Sequence, residues 1–253
     1  MSGMVADKVA LVTGGGSGIG RETALLFAAE GARVWIADCS EEKARETARE
    51  ISARGGEARS SWVDVSEEAA VEQMIEACVR EWGSLDCALN GAGIAGPQSP
   101  LRDLALQDFE RTLDVNLRGV FLCMKHELRS MGDAGRGSIV NMSSGAGWIG
   151  TPGLAAYCAT KHGVLGLTKT AALENARNGV RVNAVCPGSI DTPMLQASMQ
   201  QGEAVAQMIR SSMPIGRLGE ADEVAEAVVW LCSDRASLVT GASLAVDGAA
   251  ISR

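Results

Sequence analysis

Seven short apolar runs recur along this chain of 253 residues, and longer segments of helical character separate them. The runs cover residues 8–13, 33–38, 58–65, 85–90, 137–144, 180–187 and 243–248. Several, such as KVALVT and RVWIAD, are apolar almost without interruption, which is typical of strands covered on both faces. Strands that alternate with helices indicate right-handed crossovers between parallel strands. The sequence therefore predicts an α/β fold with a doubly wound sheet flanked by helices.

Local signals indicate where several of these helices begin and end. The first helical segment, from Gly18 to Glu30, is followed by Gly31, a residue suited to a left-handed C-terminal position. Ser40 and Ser66 each precede two glutamates, as expected of an N-cap followed by acids that complement the helix dipole. A longer helical run is expected over residues 106–130. No repeat or long linker divides the chain, so we expect one domain over residues 1–253, with a substrate lid near 189–213.

Composition excludes several classes of function. The seven cysteines form no CxxC pair and no Cys/His cluster with zinc spacing, so we expect free thiols in a reducing compartment and no metal site. A net charge of −8 argues against nucleic acid or an anionic membrane as the main partner. The N-terminus lacks the pattern of a secretion signal, and no apolar stretch has the length of a membrane span. These observations predict a soluble cytoplasmic protein.

A glycine-rich turn follows the first strand directly and opens the first helix. A strand, a glycine turn and a helix N-terminus place backbone N–H groups and the positive end of the helix dipole against a pyrophosphate. The pattern GxGxxG is absent here, and TGxxxGIG is present instead. The residues expected to line the phosphates are Gly14, Gly16, Ser17, Gly18, Ile19 and Gly20.

Asp38 ends the second strand, at about the distance from the glycine turn where a ribose-binding acid is expected. Its carboxylate can accept hydrogen bonds from the ribose 2′- and 3′-hydroxyls and would repel a 2′-phosphate. Neither Ser17 nor Cys39, which we expect to lie beside Asp38 at this corner, is basic. The sequence therefore predicts NAD rather than NADP as the cofactor.

The only tyrosine of the chain, Tyr157, lies four residues before Lys161, which places both on one face of a helix. An ammonium beside a phenol favours the phenolate, by roughly 4 kcal/mol for a unit pair near 4 Å at an effective dielectric of 20. That energy corresponds to a lowering of the tyrosine pKa by roughly two to three units, which predicts a general base active near neutral pH. The two histidines, His126 and His162, are not candidates for this role.

The sequences TGGGSGIG and YCATK, together with Ser144 and the Pro187-Gly188 turn, resemble the motifs of the short-chain dehydrogenase/reductase family in order and spacing. The spacing to Tyr157 selects Ser144 rather than the neighbouring Ser143. The resemblance covers essentially the whole chain. It implies a Rossmann-type sheet of seven parallel strands and nicotinamide-dependent oxidoreduction at an alcohol or ketone carbon.

The same resemblance implies roles for individual residues. Ser144 would bind the substrate oxygen, Tyr157 would transfer its proton, Lys161 would lower the tyrosine pKa and bind the nicotinamide ribose, and Asn116 would maintain the proton exit. Further cofactor contacts are implied for Asp64, Val65, Asn90, Ala92, Gly93, Pro187, Gly188, Ile190 and Thr192. Two positions depart from the family pattern: Gly91 replaces an asparagine, which would loosen the loop beside the nicotinamide ribose, and Ala249 replaces a glycine.

Substrate specificity is expected in three loops at the carboxyl ends of the strands, at residues 94–101, 145–154 and 189–213. Trp148, Met194, Leu195 and Met199 would give a partly apolar pocket, although these side chains would equally well close the loops onto the core. Several tracts, among them GVFLCMKHEL and CPGSIDTPM, resemble bacterial glucose, cyclic-diol and secondary-alcohol dehydrogenases of the family. The substrate is thus expected to be a small alcohol or ketone.

Small residues on the helix that carries Tyr157, including Ala155, Ala159, Gly163 and Gly166, permit close approach of another backbone. Since the family usually pairs this helix and the 106–130 run across subunits, we expect a homotetramer, with a dimer as the second option. Two alternative functions stay open. One is an NADPH-dependent 3-oxoacyl-carrier-protein reductase, which Asp38 disfavours. The other is a non-catalytic dinucleotide sensor, which the retention of Tyr157 and Lys161 disfavours.

Overall fold

A computed structural model describes residues 3–252, and its centre is one sheet of seven parallel strands. The strands are β1 (Val9–Thr13), β2 (Arg33–Asp38), β3 (Ala58–Trp62), β4 (Cys87–Asn90), β5 (Gly137–Met142), β6 (Val180–Pro187) and β7 (Ser243–Val246). Their spatial order is β3-β2-β1-β4-β5-β6-β7, and every neighbouring pair is parallel. The order reverses between β1 and β4, where open α/β sheets form a ligand crevice. The predicted fold is confirmed.

Helices cover both faces of this sheet. They are α1 (Gly18–Ala29), α2 (Glu41–Ala53), α3 (Glu68–Trp82), α4 (Leu106–Leu113), α5 (Gly119–Ala134), α6 (Ala155–Asn175), α7 (Pro193–Met199), α8 (Glu203–Ser211) and α9 (Ala221–Cys232). Alternate residues of β1 enter opposite cores: Val12 packs with α1 and α9, and Leu11 packs with α3 and α5. This double coverage explains why the strands are apolar along their whole length. Within residues 3–252, no helix is both long and apolar enough to cross a membrane.

Two local predictions need correction. The run expected to be one helix over residues 106–130 is interrupted by a π-helical turn, Asp114–Arg118, and continues as α5 to Ala134. Ser66 is not an N-cap, because α3 begins at Glu68 and both the backbone N–H and the hydroxyl of Ser66 donate to Asp64 Oδ1. The predicted left-handed position at Gly31 is confirmed, with a φ of 89°.

Candidate active site

The glycine turn between β1 and α1 brings backbone so close together that side chains are excluded. Gly14 has a φ of 70°, and a Cβ at this position would lie 2.8 Å from the backbone nitrogen of Ala92. A Cβ at Gly20 would lie 2.2 Å from the carbonyl oxygen of Gly14. Ser17 is the N-cap of α1 in extended conformation, and its hydroxyl accepts no cap hydrogen bond within the described chain. The first-turn N–H groups of α1 therefore remain available to an anion such as a pyrophosphate.

Asp38 sits directly against this turn. Its Oδ2 accepts a hydrogen bond from Gly16 N at 3.0 Å, and its Oδ1 accepts one from Ser40 N at 2.9 Å. The structure adds a neighbour that the sequence argument missed: a Cβ on Gly16 would lie 2.7 Å from Cβ of Lys43, at the start of α2. The expectation that no basic residue stands at this corner was therefore incomplete, because α2 folds back over the turn. The contact is a tertiary one, between α2 and the glycine turn, and no local sequence signal marks it.

Asp64 and Val65, two of the predicted cofactor contacts, follow β3 on the far side of Asp38. Asp64 Oδ1 accepts hydrogen bonds from both the N–H and the hydroxyl of Ser66, so the turn after β3 is fixed. Val65 is buried and packs against Gly119 of α5. Val65 lines one narrow crevice together with Asn90 and Ala92. The structure thus brings Val65 next to the segment after β4, which lies some way further along the chain.

The segment after β4 is held from two sides. Thr13 Oγ1 accepts hydrogen bonds from Gly91 N at 3.2 Å and Ala92 N at 3.4 Å. Asn116 is buried in the π-helical turn, where its Oδ1 accepts from Ile94 N and its Nδ2 donates to Ile94 O, both at 2.8 Å. These hydrogen bonds to Thr13 use the backbone N–H groups of residues 91 and 92, so they do not depend on a side chain at position 91. The glycine there therefore leaves the loop anchored rather than loosened.

Tyr157, Lys161 and Ser144 meet at the carboxyl end of β5. Lys161 is 3% exposed, its Nζ donates to Met142 O at 2.8 Å, and the same Nζ lies 5.4 Å from the centre of the Tyr157 ring. Ser144 follows β5, accepts a hydrogen bond from Ala146 N, and lies next to the Tyr157 side chain. The hydroxyl of Ser143 is buried and donates to Lys161 O, which leaves Ser144 as the serine of the cleft.

Burial dominates the protonation of this group. Burial raises the pKa of Tyr157 above its ordinary value, and the hydrogen bond from Ser144 opposes that rise. Burial also lowers the pKa of Lys161 to about 8. The direction found for Tyr157 is opposite to the predicted lowering by Lys161. The reason is geometric, since the ammonium is directed to Met142 O and lies beside the ring.

Residues 187–195 bring the lid to the first turn of α1. Gly188 N donates to Val246 O at 3.1 Å, and Ile190, at the start of the predicted lid, is buried. Thr192 is the N-cap of α7, with its Oγ1 accepting from Leu195 N, and its Cγ2 lies 3.2 Å from the place of a Cβ on Gly18. Of the four predicted contacts in this segment, Thr192 faces the glycine turn, whereas Pro187, Gly188 and Ile190 lead up to it from the end of β6.

The loops assigned to substrate form an open apolar rim. Trp148 and Met194 are exposed, whereas Leu195 and Met199 are half-buried, and the Trp148 Nε1 donates to Cys186 Sγ at 3.2 Å. A cavity of about 770 Å³ lies between the first two loops, with Gln98, Leu101 and Thr151 among its lining residues. These loops are joined by a hydrogen bond from Ser99 N to Gly153 O at 3.0 Å.

Three further polar residues, Arg21, His126 and His162, lie outside this crevice. Arg21 is paired with Glu22 and Glu50 rather than with the glycine turn. His126 lies near Glu68 on α3, and His162 is exposed with its Nδ1 near Cys158 O.

Comparison with known proteins agrees with this arrangement. A family model described as enoyl-(acyl carrier protein) reductase matches residues 14–249. The chain is 42% identical over 245 residues to a 2,5-dichloro-2,5-cyclohexadiene-1,4-diol dehydrogenase of Sphingobium indicum, covering 96% of this chain and 97% of the relative. It is 44% identical over 253 residues to a cyclohexanol dehydrogenase of an Acinetobacter strain, covering 100% of this chain and 98% of the relative.

A third relative and a solved structure extend the comparison. A cis-4-hydroxycyclohexanecarboxylate dehydrogenase of Sinomonas cyclohexanicum is 45% identical over 245 residues, which cover 96% of each chain. The crystal structure of levodione reductase superposes with a TM-score of 0.94 at 38% identity, covering 98% of each chain. As the motifs predicted, the chain belongs to the short-chain dehydrogenase/reductase family of oxidoreductases.

Proposed function

We propose that this oxidoreductase transfers a hydride between NAD and the carbinol or carbonyl carbon of a secondary alcohol or ketone, with Tyr157 as general base or acid. One observation carries the proposal: the sole tyrosine lies one helical turn from the buried Lys161, whose Nζ is 5.4 Å from the centre of its ring, and next to Ser144. These three side chains stand beside a glycine turn whose tight packing suits a pyrophosphate.

The proposed chemistry assigns a separate task to each side chain. Ser144 Oγ accepts from Ala146 N, and its rotatable hydroxyl, which also lies near Tyr157, can donate its one hydrogen to a substrate oxygen. Tyr157 takes the hydroxyl proton from an alcohol or returns one to a ketone. Lys161, fixed by Met142 O, provides the neighbouring proton-carrying group. A bound nicotinamide dinucleotide supplies the hydride acceptor or donor.

The raised pKa of Tyr157 gives the two directions different pH dependences. The protonated phenol is the acid that ketone reduction requires, so reduction is favoured at lower pH. Alcohol oxidation requires the deprotonated form. The kcat/KM for oxidation is therefore expected to rise with pH while Tyr157 remains mostly protonated.

The arrangement of Asp38 supports NAD as the cofactor. Its carboxylate is fixed by Gly16 N and Ser40 N at the corner where a ribose hydroxyl would lie, and a second negative group there would be repelled. Lys43 is exposed next to this corner and is the one nearby feature that would favour a 2′-phosphate. The carboxylate is anchored by two backbone donors, whereas the ammonium is solvated, so the charge of Asp38 governs the preference.

The substrate class is proposed to be an alicyclic secondary alcohol or diol. Three relatives are named for hydroxyl-bearing six-membered carbocycles: a cyclohexadiene diol, cyclohexanol and a hydroxycyclohexanecarboxylate. The exposed apolar side chains of Trp148, Ile149 and Met194 suit such a ring, because they offer contact area without charge.

The proposal extends to a homotetramer in the cytoplasm. Ala159 and Gly166 are exposed on α6, and larger apolar side chains, including Phe121 on α5 and Leu173 on α6, are exposed on the same pair of helices. The seven cysteine thiols are free, as suits a reducing compartment.

The test is a panel assay that follows NADH or NADPH absorbance. We expect oxidation of cyclohexanol and cyclic diols with NAD, at a kcat/KM at least about tenfold above that with NADP, a difference of 1.4 kcal/mol. A preference for NADPH and 3-oxoacyl substrates would instead support the carrier-protein reductase. Cofactor binding without turnover of any substrate would support the dinucleotide sensor.

A further inference from the structure

Glu127 is a buried acid in α5 that the proposed reaction does not use. Its side chain is 0% exposed, and its Oε2 accepts a hydrogen bond from Asn90 Nδ2 at 2.9 Å. Two buried oxygens of this contact have no hydrogen-bond partner among residues 3–252: Oε1 of Glu127 and Oδ1 of Asn90. The unpaired atoms thus belong to the same two side chains that already share one hydrogen bond.

A carboxylate cannot satisfy this arrangement, because it only accepts hydrogen bonds and Asn90 Oδ1 is also an acceptor. A buried acceptor without a partner destabilises the fold, because it has lost its hydrogen bonds to water and gained none in return. A protonated carboxyl group has an O–H donor and can form two hydrogen bonds with a primary amide. In that pairing the amide N–H donates to one carboxyl oxygen while the carboxyl O–H donates to the amide oxygen. One proton on Glu127 Oε1 therefore gives partners to both unpaired oxygens.

The surroundings favour the neutral acid. From β5, Asn141 accepts the second N–H of Asn90 at 2.9 Å, and Asn141 in turn donates to Thr168 of α6 at 2.9 Å. On α5 itself, Cys123 is the titratable neighbour, and burial together with Glu127 raises the pKa of its thiol. Burial raises the pKa of Glu127 to about 7, against a smaller lowering by Asn90.

The charged groups of the adjacent elements are engaged elsewhere. On α3, Glu68 pairs with Lys125, and both Glu68 and Glu72 lie near His126. On α6, Lys161 directs its Nζ to Met142 O. Within the described chain, no cation therefore contributes to holding Glu127 ionised.

The buried pair of Glu127 and Asn90 lies close in the fold to Asn116 and Lys161. Asn90 is the last residue of β4 and leads into Gly93, where a Cβ would lie 3.2 Å from Asn116 Oδ1 and 3.8 Å from Lys161 Nζ. Asn141 precedes Met142, whose carbonyl oxygen holds Lys161 Nζ. A shift of Asn141 would thus reach the carbonyl oxygen that holds Lys161 Nζ, and a shift of Asn90 would reach the backbone that packs beside Nζ.

We propose that Glu127 is a positioning residue: as a neutral acid it closes a pair of hydrogen bonds with Asn90 and so fixes the ends of β4 and β5 that support Lys161. Ionisation removes the O–H donor and leaves two buried acceptor oxygens, Glu127 Oε1 and Asn90 Oδ1, without a partner among residues 3–252. The ends of the two strands then loosen, and the hold on Lys161 weakens as the pH rises above neutral.

The decisive variant is Glu127→Gln, because its amide supplies the same donor and acceptor at every pH. The matched control is Glu76→Gln, which removes a carboxylate from the exposed face of α3. The measurement is the unfolding equilibrium constant in denaturant as a function of pH, without cofactor or substrate.

The sign follows from proton linkage. A carboxyl whose pKa is raised in the folded protein, from 4.5 to about 7, contributes stability that is complete below 4.5 and is lost as the pH rises through 7. The unfolding constant of the wild type divided by that of Glu127→Gln should therefore rise by up to roughly tenfold per pH unit over this range and then level off. The unfolding constant of the wild type divided by that of Glu76→Gln should not change with pH. Parallel pH dependences of the wild type and Glu127→Gln would overturn the proposal.

A kinetic comparison tests the positioning role, and this arm alone depends on the proposed function. The kcat of Glu127→Gln divided by that of the wild type should be about one below pH 6 and should rise above pH 7, with KM little changed. A ratio that does not vary with pH overturns the positioning role. The unfolding comparison stands whether or not the proposed reaction is observed.

If Glu127→Gln does not fold, infrared spectroscopy of the wild type replaces it. A protonated-carboxyl band that disappears as the pH is raised through about 7 supports the proposal. The absence of such a band at about pH 6, where exposed carboxyls are ionised, overturns it.

Discussion

At the scale of single residues, the protonation of Tyr157 is the property most affected by folding. A lysine one turn away suggests a lowered pKa, but burial of the phenol acts in the opposite direction and has the larger effect. Since the ammonium of Lys161 is fixed by a backbone carbonyl, it does not approach the phenolic oxygen in this arrangement. Burial therefore favours the neutral phenol, whereas added positive charge near Tyr157 would favour the phenolate.

Because the chain has a single tyrosine, this pKa can be read directly from phenolate absorbance. We expect the cofactor-free protein to develop phenolate absorbance only above the ordinary value of 10, since burial disfavours the charged form. Tyr157→Phe provides the blank, and circular dichroism checks that the protein is still folded. A transition well below 10 would contradict this assignment.

Ala249 carries a backbone strain that its sequence position already suggested. It has a φ of 70°, in the left-handed region that costs a residue with a Cβ about 1–2 kcal/mol. Ala249→Gly removes this strain but adds freedom to the unfolded chain, so we expect a net stabilisation of about 0.5–1 kcal/mol. The free energy of unfolding from denaturant titration measures it.

The neighbouring Ala250 is the control, because its φ is not positive. Ala250→Gly should have the opposite effect and destabilise the protein slightly. If Ala249→Gly is less stable than the wild type, the strain does not exist in solution.

At the scale of secondary-structure elements, Asn116 explains why one predicted helix becomes two. Its side chain donates to and accepts from the backbone of Ile94, on a loop that is distant in sequence. The π-helical turn at Asp114–Arg118 places the residue where this reach is possible. Nothing in the local pattern of residues 106–130 signals it, because the cause is a tertiary contact.

Asn116→Ala would leave the N–H and C=O of Ile94 without their partners. We expect destabilisation by about 2–4 kcal/mol, measured by denaturant unfolding, because each lost partner costs about 1–3 kcal/mol. Asn175→Ala is the matched control, since its amide donates to Ala171 O within the last turns of α6. The control should lose less than about 1 kcal/mol. Equal effects of the two variants would contradict the role given to the hydrogen bonds between Asn116 and Ile94.

The sequence predicted the elements and the chemistry better than the contacts between elements. All seven strands, the glycine turn and the pairing of Tyr157 with Lys161 depend on short-range patterns, and these patterns were sufficient. Lys43 beside Gly16 was missed because the packing of α2 on the turn has no local signal. Glu127 was missed because a glutamate that follows a lysine and a histidine usually lies on a solvated helix face.

At the scale of the whole molecule, the exposed apolar side chains of α5 and α6 are the basis of the proposed assembly. Leu173 is 85% exposed, and Phe121 is also exposed. We expect light scattering to give a mass about four times that of the 26.3 kDa chain, because burying such side chains stabilises association. A monomer would refute the proposed assembly.

Leu173→Glu tests which face is used. It should lower the mass in light scattering, because a buried unpaired charge opposes association. Trp62→Glu is the control, as this exposed side chain lies on the edge strand β3, away from α6. A mass unchanged in Leu173→Glu, or lowered equally in both variants, would contradict the assignment of the interface to α6.

The central claim is that the phenol of Tyr157 moves the proton during hydride transfer. Its most direct test is the turnover of Tyr157→Phe with an alicyclic alcohol at saturating NAD, a condition checked by cofactor titration. We expect kcat to fall by about 10²–10⁴, with NAD still bound, because the variant lacks only the proton-transferring hydroxyl. Turnover close to that of the wild type would contradict the account.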